Sequence, residues 1–263
     1  MLPVIQSLWI GKELSLLERL VVSSFLANGH EFHLYTYSPI TGVPRGVIIK
    51  DAHNIIKKWQ IFTCNGSYAL FADWFRWKLL NEMGGYWVDM DVICLKPFDF
   101  TDEIVFGMQD SWSPNIGVLK FPPNHDLTSF MIHRCEEHYG FKEPIRKQIK
   151  NILRRILWGN RKDDLPWGHA GGPTGFREAL EKFGLLGLGK PVPTFYPVHY
   201  NHWQDIFTPV QHENSTDLSC SHGLHFWNEL VRCSSLDKNS SFAEDTLIEQ
   251  LKNKYMGCYD ANS

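Results

Sequence analysis

The run Phe71-Ala72-Asp73-Trp74-Phe75-Arg76-Trp77-Lys78-Leu79-Leu80-Asn81-Glu82-Met83-Gly84-Gly85-Tyr86-Trp87-Val88-Asp89-Met90-Asp91 organises this chain. A helical pattern over residues 67–83 stops at Gly84-Gly85, because glycine accepts the left-handed backbone that closes a helix, and a strand pattern over residues 86–95 follows. Asp73 and Arg76 stand three apart and so share one helix face, where a carboxylate and a guanidinium together hydrogen-bond hydroxyl groups. On an extended strand Asp89 and Asp91 point to one side while Met90 turns inward, so the two carboxylates converge on a single cation. Two carboxylates completed by water and phosphate oxygens suit Mg²⁺ or Mn²⁺. A solvated strand end and an intrahelical ion pair account for the same residues on spacing alone.

Outward from this run, residues 2–10 read as a strand, 14–27 as a helix stopped by Asn28-Gly29, and 31–37 as a second strand, which makes a βαβ opening. Further strands are expected at 104–108, 116–121 and 223–227, and helices at 127–138, 144–158, 173–183 and 242–254. Strands alternating with helices argue an α/β fold with a single mixed sheet flanked by helices. Residues 213–221 are the expected mobile loop. The expectation is one domain over 1–263 with a basic helical embellishment around 141–164.

The 263 residues are 43% hydrophobic and 14% aromatic, enough to bury a sizeable core. A net charge of -3 gives no overall basic field, which argues against a nucleic-acid partner. Cys64, Cys94, Cys135, Cys220, Cys233 and Cys258 show no paired short spacing and read as reduced thiols. Residues 1–10 show no basic flank or apolar signal core, and no run approaches the length of a membrane span, so a cytoplasmic location is expected, with a peripheral membrane contact as one option.

The run from Phe71 to Asp91 resembles the DXD-containing sugar-binding region of family 32 glycosyltransferases, which include α1,4-galactosyl- and N-acetylglucosaminyltransferases, yeast-type mannosyltransferases and bacterial capsular polysaccharide enzymes. Leu8-Trp9-Ile10-Gly11, Asn115-Ile116-Gly117-Val118, Gly172-Pro173-Thr174-Gly175, Phe195-Tyr196-Pro197 and Leu224-His225-Phe226-Trp227-Asn228 are similar to further landmarks of that family, in its order. The resemblance implies a GT-A-type, nucleotide-binding, Rossmann-like fold and a retaining, metal-assisted hexosyltransferase. Its donor would be a nucleotide-diphosphate sugar, UDP-sugar rather than GDP-sugar, and its acceptor a glycan or a lipid-linked glycan. It further implies that Asp73, Arg76, Asp89 and Asp91 do the catalytic work. Trp9, Asp73, Arg76, Asp89, His225, Trp227 and Asn228 would bind the donor, Trp9 by stacking on its base, and Asp89, Asp91 and His225 would hold the metal. His169, Gly171 and Gly172 are a weaker candidate for receiving an acceptor group. A non-catalytic relative that binds nucleotide sugars, and a metal-dependent phosphodiesterase, stay open.

The resemblance does not extend to residues 141–164. There Ile145, Ile149, Ile152, Leu153, Ile156 and Leu157 recur at helical spacing, while Lys142, Arg146, Lys147, Lys150, Arg154 and Arg155 crowd the remaining surface. A membrane-surface helix over 141–162, a helix docked on the domain and a helix for an acidic partner all fit that pattern.

Overall fold

The computed structural model describes residues 2–64, 66–136, 145–158, 166, 168–209 and 216–257. Strands β1 (Ile5–Trp9), β2 (Phe32–Thr36), β3 (Ile48–Asp51), β4 (Gly85–Val88), β6 (Val105–Met108) and β7 (Pro114–Phe121) form one mixed sheet in the order β3-β2-β1-β4-β7-β6. The β1–β2, β2–β3 and β1–β4 pairs are parallel, and β7 runs antiparallel to both β4 and β6. Helices α1 (Leu16–Ala27) and α7 (Leu247–Met256) cover one face, and α2 (Ala69–Met83), α3 (Asp126–Glu136) and α5 (Pro173–Phe183) cover the other. This is the mixed-sheet α/β architecture expected, with helices on both faces. A short ribbon of β5 (Val92–Cys94) and β8 (Gly223–His225) adds to it.

Strand alternation builds both layers. In β4, Tyr86 and Val88 face the α1 side while Trp87 faces α2. Helix α1 starts at Ser15, whose backbone N–H donates to Glu18 Oε2 at 3.0 Å, a capping box written in the sequence. Glu18 is buried and also accepts from Lys238 Nζ at 2.6 Å, which ties the C-terminal part of the chain to α1. Helix α2 buries nearly every side, with Phe71, Phe75, Trp77, Leu79 and Leu80 at zero exposure. Asp73 and Arg76 are therefore ionisable groups on the buried part of the helix, and charges there persist only when paired.

The structure corrects three expectations. Residues 86–95 are not one strand: β4 ends at Val88, residues 89–91 turn, and β5 leaves the main sheet to pair with β8. The turn is closed by Val92 N–H donating to Asp89 O at 3.1 Å, so Asp89 and Asp91 are presented by a turn and not by strand alternation. Continuing the strand would bury both carboxylates between two apolar layers, whereas the turn sends Met90 into the α1-side core and leaves the carboxylates at the sheet's end. Strand β3 and the short helix α6 (Asn228–Cys233) were not expected. Strand β3 is an exposed edge with Ile48 and Ile49 facing outward, which gives it no hydrophobic alternation to read.

Helix α4 (Ile145–Trp158) lies where a basic helix was expected, while the parts of that expectation at 141–144 and 159–164 lie outside the described residues, as do 213–215 of the expected loop. Cys64, Cys94, Cys135, Cys220 and Cys233 are free thiols among the described residues. No helix among them is long and apolar enough to cross a membrane.

Gly84 closes α2 at φ +63°, and a Cβ there would stand 2.6 Å from Pro123 Cδ and 2.8 Å from Pro123 N. Gly84→Ala should therefore lose about 2 kcal/mol or more of stability, from the positive φ and the clash together. Urea unfolding checks this: the midpoint should fall with the slope unchanged.

Candidate functional site

Three stretches far apart in sequence meet at the C-terminal end of β4. Helix α2 supplies Asp73 and Arg76, the turn after β4 supplies Asp89 and Asp91, and β8 with the start of α6 supplies His225 and Asn228. Arg76 is the hub. Its Nη2 reaches Asp89 Oδ1 at 2.7 Å and Asp73 Oδ1 at 3.4 Å, and its Nη1 donates to Ile116 O at 3.1 Å. The guanidinium also lies 5.1 Å from the centroid of the Trp87 ring, whose Nε1–H donates to Asp89 Oδ1 at 2.8 Å.

Asp91 is held from the other side. Its Oδ2 contacts His225 Nε2 at 2.9 Å and accepts from Asn228 N–H at 2.8 Å. The pairing of β5 with β8 makes this possible, since it sets His225 opposite Val92, and Phe226 N–H donates to Asp91 O at 3.0 Å. A carboxylate only accepts, so the proton of this contact sits on Nε2. His225 Nδ1, Asp91 Oδ1, Asn228 Oδ1 and Arg76 Nε are buried without a hydrogen-bond partner among the described residues. Such atoms cost stability unless something satisfies them, and here four fall in one place.

The charges are tuned apart. Burial pushes the Asp73 carboxyl up to about 6 despite the pull of Arg76, and Asp89 adds to the rise. Burial also raises Asp89, with Arg76 opposing and the charge of Asp91 adding to the rise. Burial alone would raise Asp91 too, but His225 and the Asn228 N–H outweigh it and hold this carboxyl below the usual range. Separated titration of neighbouring carboxylates is a common property of working sites.

Trp227 stands beside His225 with ring centroids 4.3 Å apart, and its Nε1–H is taken by Val198 O at 2.9 Å, so it is a buried wall that orients the imidazole. It adopts φ +58°, and this left-handed backbone turns the chain from β8 into α6. Trp9 ends β1, with its Nε1–H donating to Glu13 O at 3.1 Å and its ring partly buried. His222 is turned elsewhere, with Nδ1 on Pro97 O at 2.9 Å and its ring against Phe100. Gly171 packs at the back of the site: Trp77 Nε1–H donates to its carbonyl at 2.7 Å, and a Cβ on it would meet Cys135 Sγ at 2.6 Å and Asp73 Cβ at 3.0 Å. Gly172 caps α5, and His169 offers its carbonyl to Arg134.

Residue-level reading missed three contributors. Trp87 braces both Asp89 and Arg76, and its signal was its place two residues before Asp89, near the end of β4. Asn115 Oδ1 accepts from Gly117 N–H at 2.7 Å, and a Cβ on Gly117 would stand 3.1 Å from that oxygen and 3.6 Å from Asp89 Oδ2. Tyr196 packs edge-on against His225 at 5.5 Å. Asn115 and Tyr196 lie in stretches similar to family landmarks, but only the Asn115–Gly117 contact is local, whereas Tyr196 reaches His225 across the fold.

Comparison with known proteins adds an independent line. The family model described as glycosyltransferase sugar-binding region containing DXD motif matches residues 33–114, and the one described as alpha 1,4-glycosyltransferase conserved region matches residues 190–255. No curated protein matches the chain. Among solved structures, the PaToxG glycosyltransferase is similar at 17% identity over 69% of this chain and 70% of that chain, with a TM-score of 0.46. The first matched region contains Asp73, Arg76, Asp89 and Asp91, and the second contains His225 and Asn228. The two regions stand in chain order and their polar residues meet at Asp91, which together supports a family 32-like glycosyltransferase.

Proposed function

We propose that the protein transfers a hexosyl group, with retention of anomeric configuration, from a UDP-sugar to a glycan or lipid-linked glycan, and that a divalent ion, Mn²⁺ or Mg²⁺, assists. One observation carries this reading: Asp91 from the DXD turn and His225 and Asn228 from the C-terminal region share one contact and leave Asp91 Oδ1, Asn228 Oδ1 and His225 Nδ1 buried and unpaired. An open set of oxygen and imidazole donors fits a cation that keeps several positions for water and phosphate. Among the described residues no three His, Cys, Asp or Glu side chains make a closed cage, so the donor's diphosphate would complete the coordination. Asp91, His225, Asn228 and the second oxygen of Asp89 would hold the ion. When bound, it would neutralise charge developing on the leaving diphosphate.

The chain's own groups do the rest. Arg76, fixed by Asp89 and Ile116 O, keeps its Nε–H for a donor hydroxyl or phosphate, and Asp73 beside it accepts from a sugar hydroxyl. Each carboxylate is committed to a fixed partner, which suits orientation of the donor for attack by the acceptor hydroxyl on its own face. Trp9, at the end of β1, would cover the nucleotide base. We take residues 1–263 to work as one domain.

Asp91→Asn should lower kcat/KM for transfer on the order of a thousandfold while the protein stays folded, and complete chelation of divalent ions should do the same. Activity within about threefold of wild type in either experiment would sink the assignment. Calorimetry with a UDP-sugar and Mn²⁺ should show that His225→Ala abolishes metal-dependent binding whereas His222→Ala does not.

Asp73 supplies a pH-dependent check. Its folded pKa of about 6 lies above the ordinary 3.8, so between those values the folded protein keeps a proton that the unfolded chain has lost. Its contribution to stability therefore falls as pH rises through that window, by up to about 3 kcal/mol. Asp73→Asn removes the effect. The variant's melting temperature relative to wild type should be higher near pH ~7.5 than near pH ~4, while donor binding is lost. A difference that is the same at both pH values refutes it.

A further inference from the structure

We propose that α4 seats this protein on a membrane surface rich in anionic lipid. The helix carries Arg146, Lys147, Lys150, Arg154 and Arg155 and no acidic residue. Its apolar positions follow a spacing of four, three and one, which gathers them on an arc of roughly 140° at ~100° per residue, with Lys147, Lys150, Arg154 and Arg155 on the rest of the circumference and Arg146 near one edge of the arc. The structure leaves that arc uncovered: Ile145, Ile149, Ile152, Leu153, Ile156 and Leu157 are 49% to 75% exposed. Every other long helix behaves differently. Helix α1 buries Leu17, Leu20, Val21 and Phe25 completely, and α5 buries Phe176, Ala179 and Leu180. A helix docked on its own domain is thus excluded for α4, and six aliphatic side chains remain for something outside the described fold.

The chemistry of the face selects its occupant. Protein interfaces are enriched in aromatic residues and Met and depleted in Lys, and they use charges of both signs to set register. The apolar arc of α4 is purely Ile and Leu, and its charge is of one sign. Branched aliphatic chains insert among acyl chains without needing a shaped partner, and long Lys and Arg stems reach lipid phosphates from the flanks. The feature is thus suited to an anionic bilayer rather than to a protein groove.

The helix is also attached at the right place. It lies between α3 and the 168–172 segment, and both flanks are fastened beside the donor site. On the α3 side Trp74 Nε1–H donates to Glu136 Oε1 at 3.1 Å. Arg134 Nη2 binds Glu178 Oε2 at 2.8 Å and His169 O at 2.6 Å, so it clamps α3 to the returning segment. That segment then lays Gly171 against Asp73. The described segments nearest to α4 in sequence are therefore both anchored beside α2. Membrane seating stands apart from the transfer reading; only its corollary, a lipid-linked acceptor, rests on that reading.

The test is flotation of the full chain with vesicles of phosphatidylcholine and phosphatidylglycerol, set against vesicles of phosphatidylcholine alone. The protein should float with the anionic vesicles at low ionic strength, release at high salt, and not bind the neutral ones. Replacing Arg146, Lys150, Arg154 and Arg155 by Gln should lower the partition coefficient on the order of a hundredfold, and the double variant Ile152→Glu/Ile156→Glu should abolish binding. Both variants should melt with wild type and keep donor binding, since membrane seating stands apart from the donor site. Failure of the wild type to bind anionic vesicles, or equal binding by either variant, overturns the proposal. So does a dimer in light scattering that Ile156→Glu converts to monomer, because a second copy would then cover the face. A null result in glycosyl transfer leaves the flotation outcome untouched, so the two readings fail separately.

Discussion

The structure depends on one buried guanidinium. Arg76 sits in a helix that is buried on nearly every side, and it is tolerated there because Asp89, Asp73, Ile116 O and the Trp87 ring surround it. Those partners come from α2, from the end of β4 and from β7, so the charge that the core has to neutralise also fastens three elements to one another. Removing one member of a buried pair leaves the other uncompensated, at a cost of about 3–5 kcal/mol. The same arrangement fixes Asp89 within a fraction of a rotamer, as orientation of a substrate requires.

The second constraint is the handover at residues 89–91. The main sheet delivers the chain to Val88, and the β5–β8 ribbon takes it away again from Val92. Between them the backbone turns, Met90 anchors the turn in the core, and the two carboxylates are left to face different partners. Asp89 belongs to the α2 side through Arg76. Asp91 belongs to the C-terminal side through His225 and the N-terminus of α6. The site is thus the seam between the two helical layers, and the polar residues of the two matched family regions meet there.

Stability and function pull in opposite directions at this seam. Burial raises Asp73 to about 6, and Asp91 Oδ1, Asn228 Oδ1, His225 Nδ1 and Arg76 Nε lack partners among the described residues. A fold selected only for stability would fill or pair these groups. Their persistence in the best-packed part of the molecule is a local violation of the kind that marks binding sites, where the ligand supplies the missing half of each interaction.

What the sequence determined by itself is local: the alternation of strands and helices, the stop at Gly84-Gly85, the capping box at Ser15 and Glu18, and the amphipathic α4. Each of these rests on periodicity or on contacts within four residues, so each is legible without a fold. The pairing of Asp73 with Arg76 was legible for the same reason, while the choice of His225 over His222 rested on family resemblance. What only the tertiary structure decided is non-local. The break in residues 86–95 depends on which strand β5 can pair with, and that partner lies more than a hundred residues later. The stacking of Trp87 on Arg76, the wall that Tyr196 makes behind His225, and the exposure of the α4 stripe follow from packing between distant segments. Hydrogen bonds and apolar contacts across such distances leave no period in the sequence, because their spacing is set by the sheet order and not by the chain.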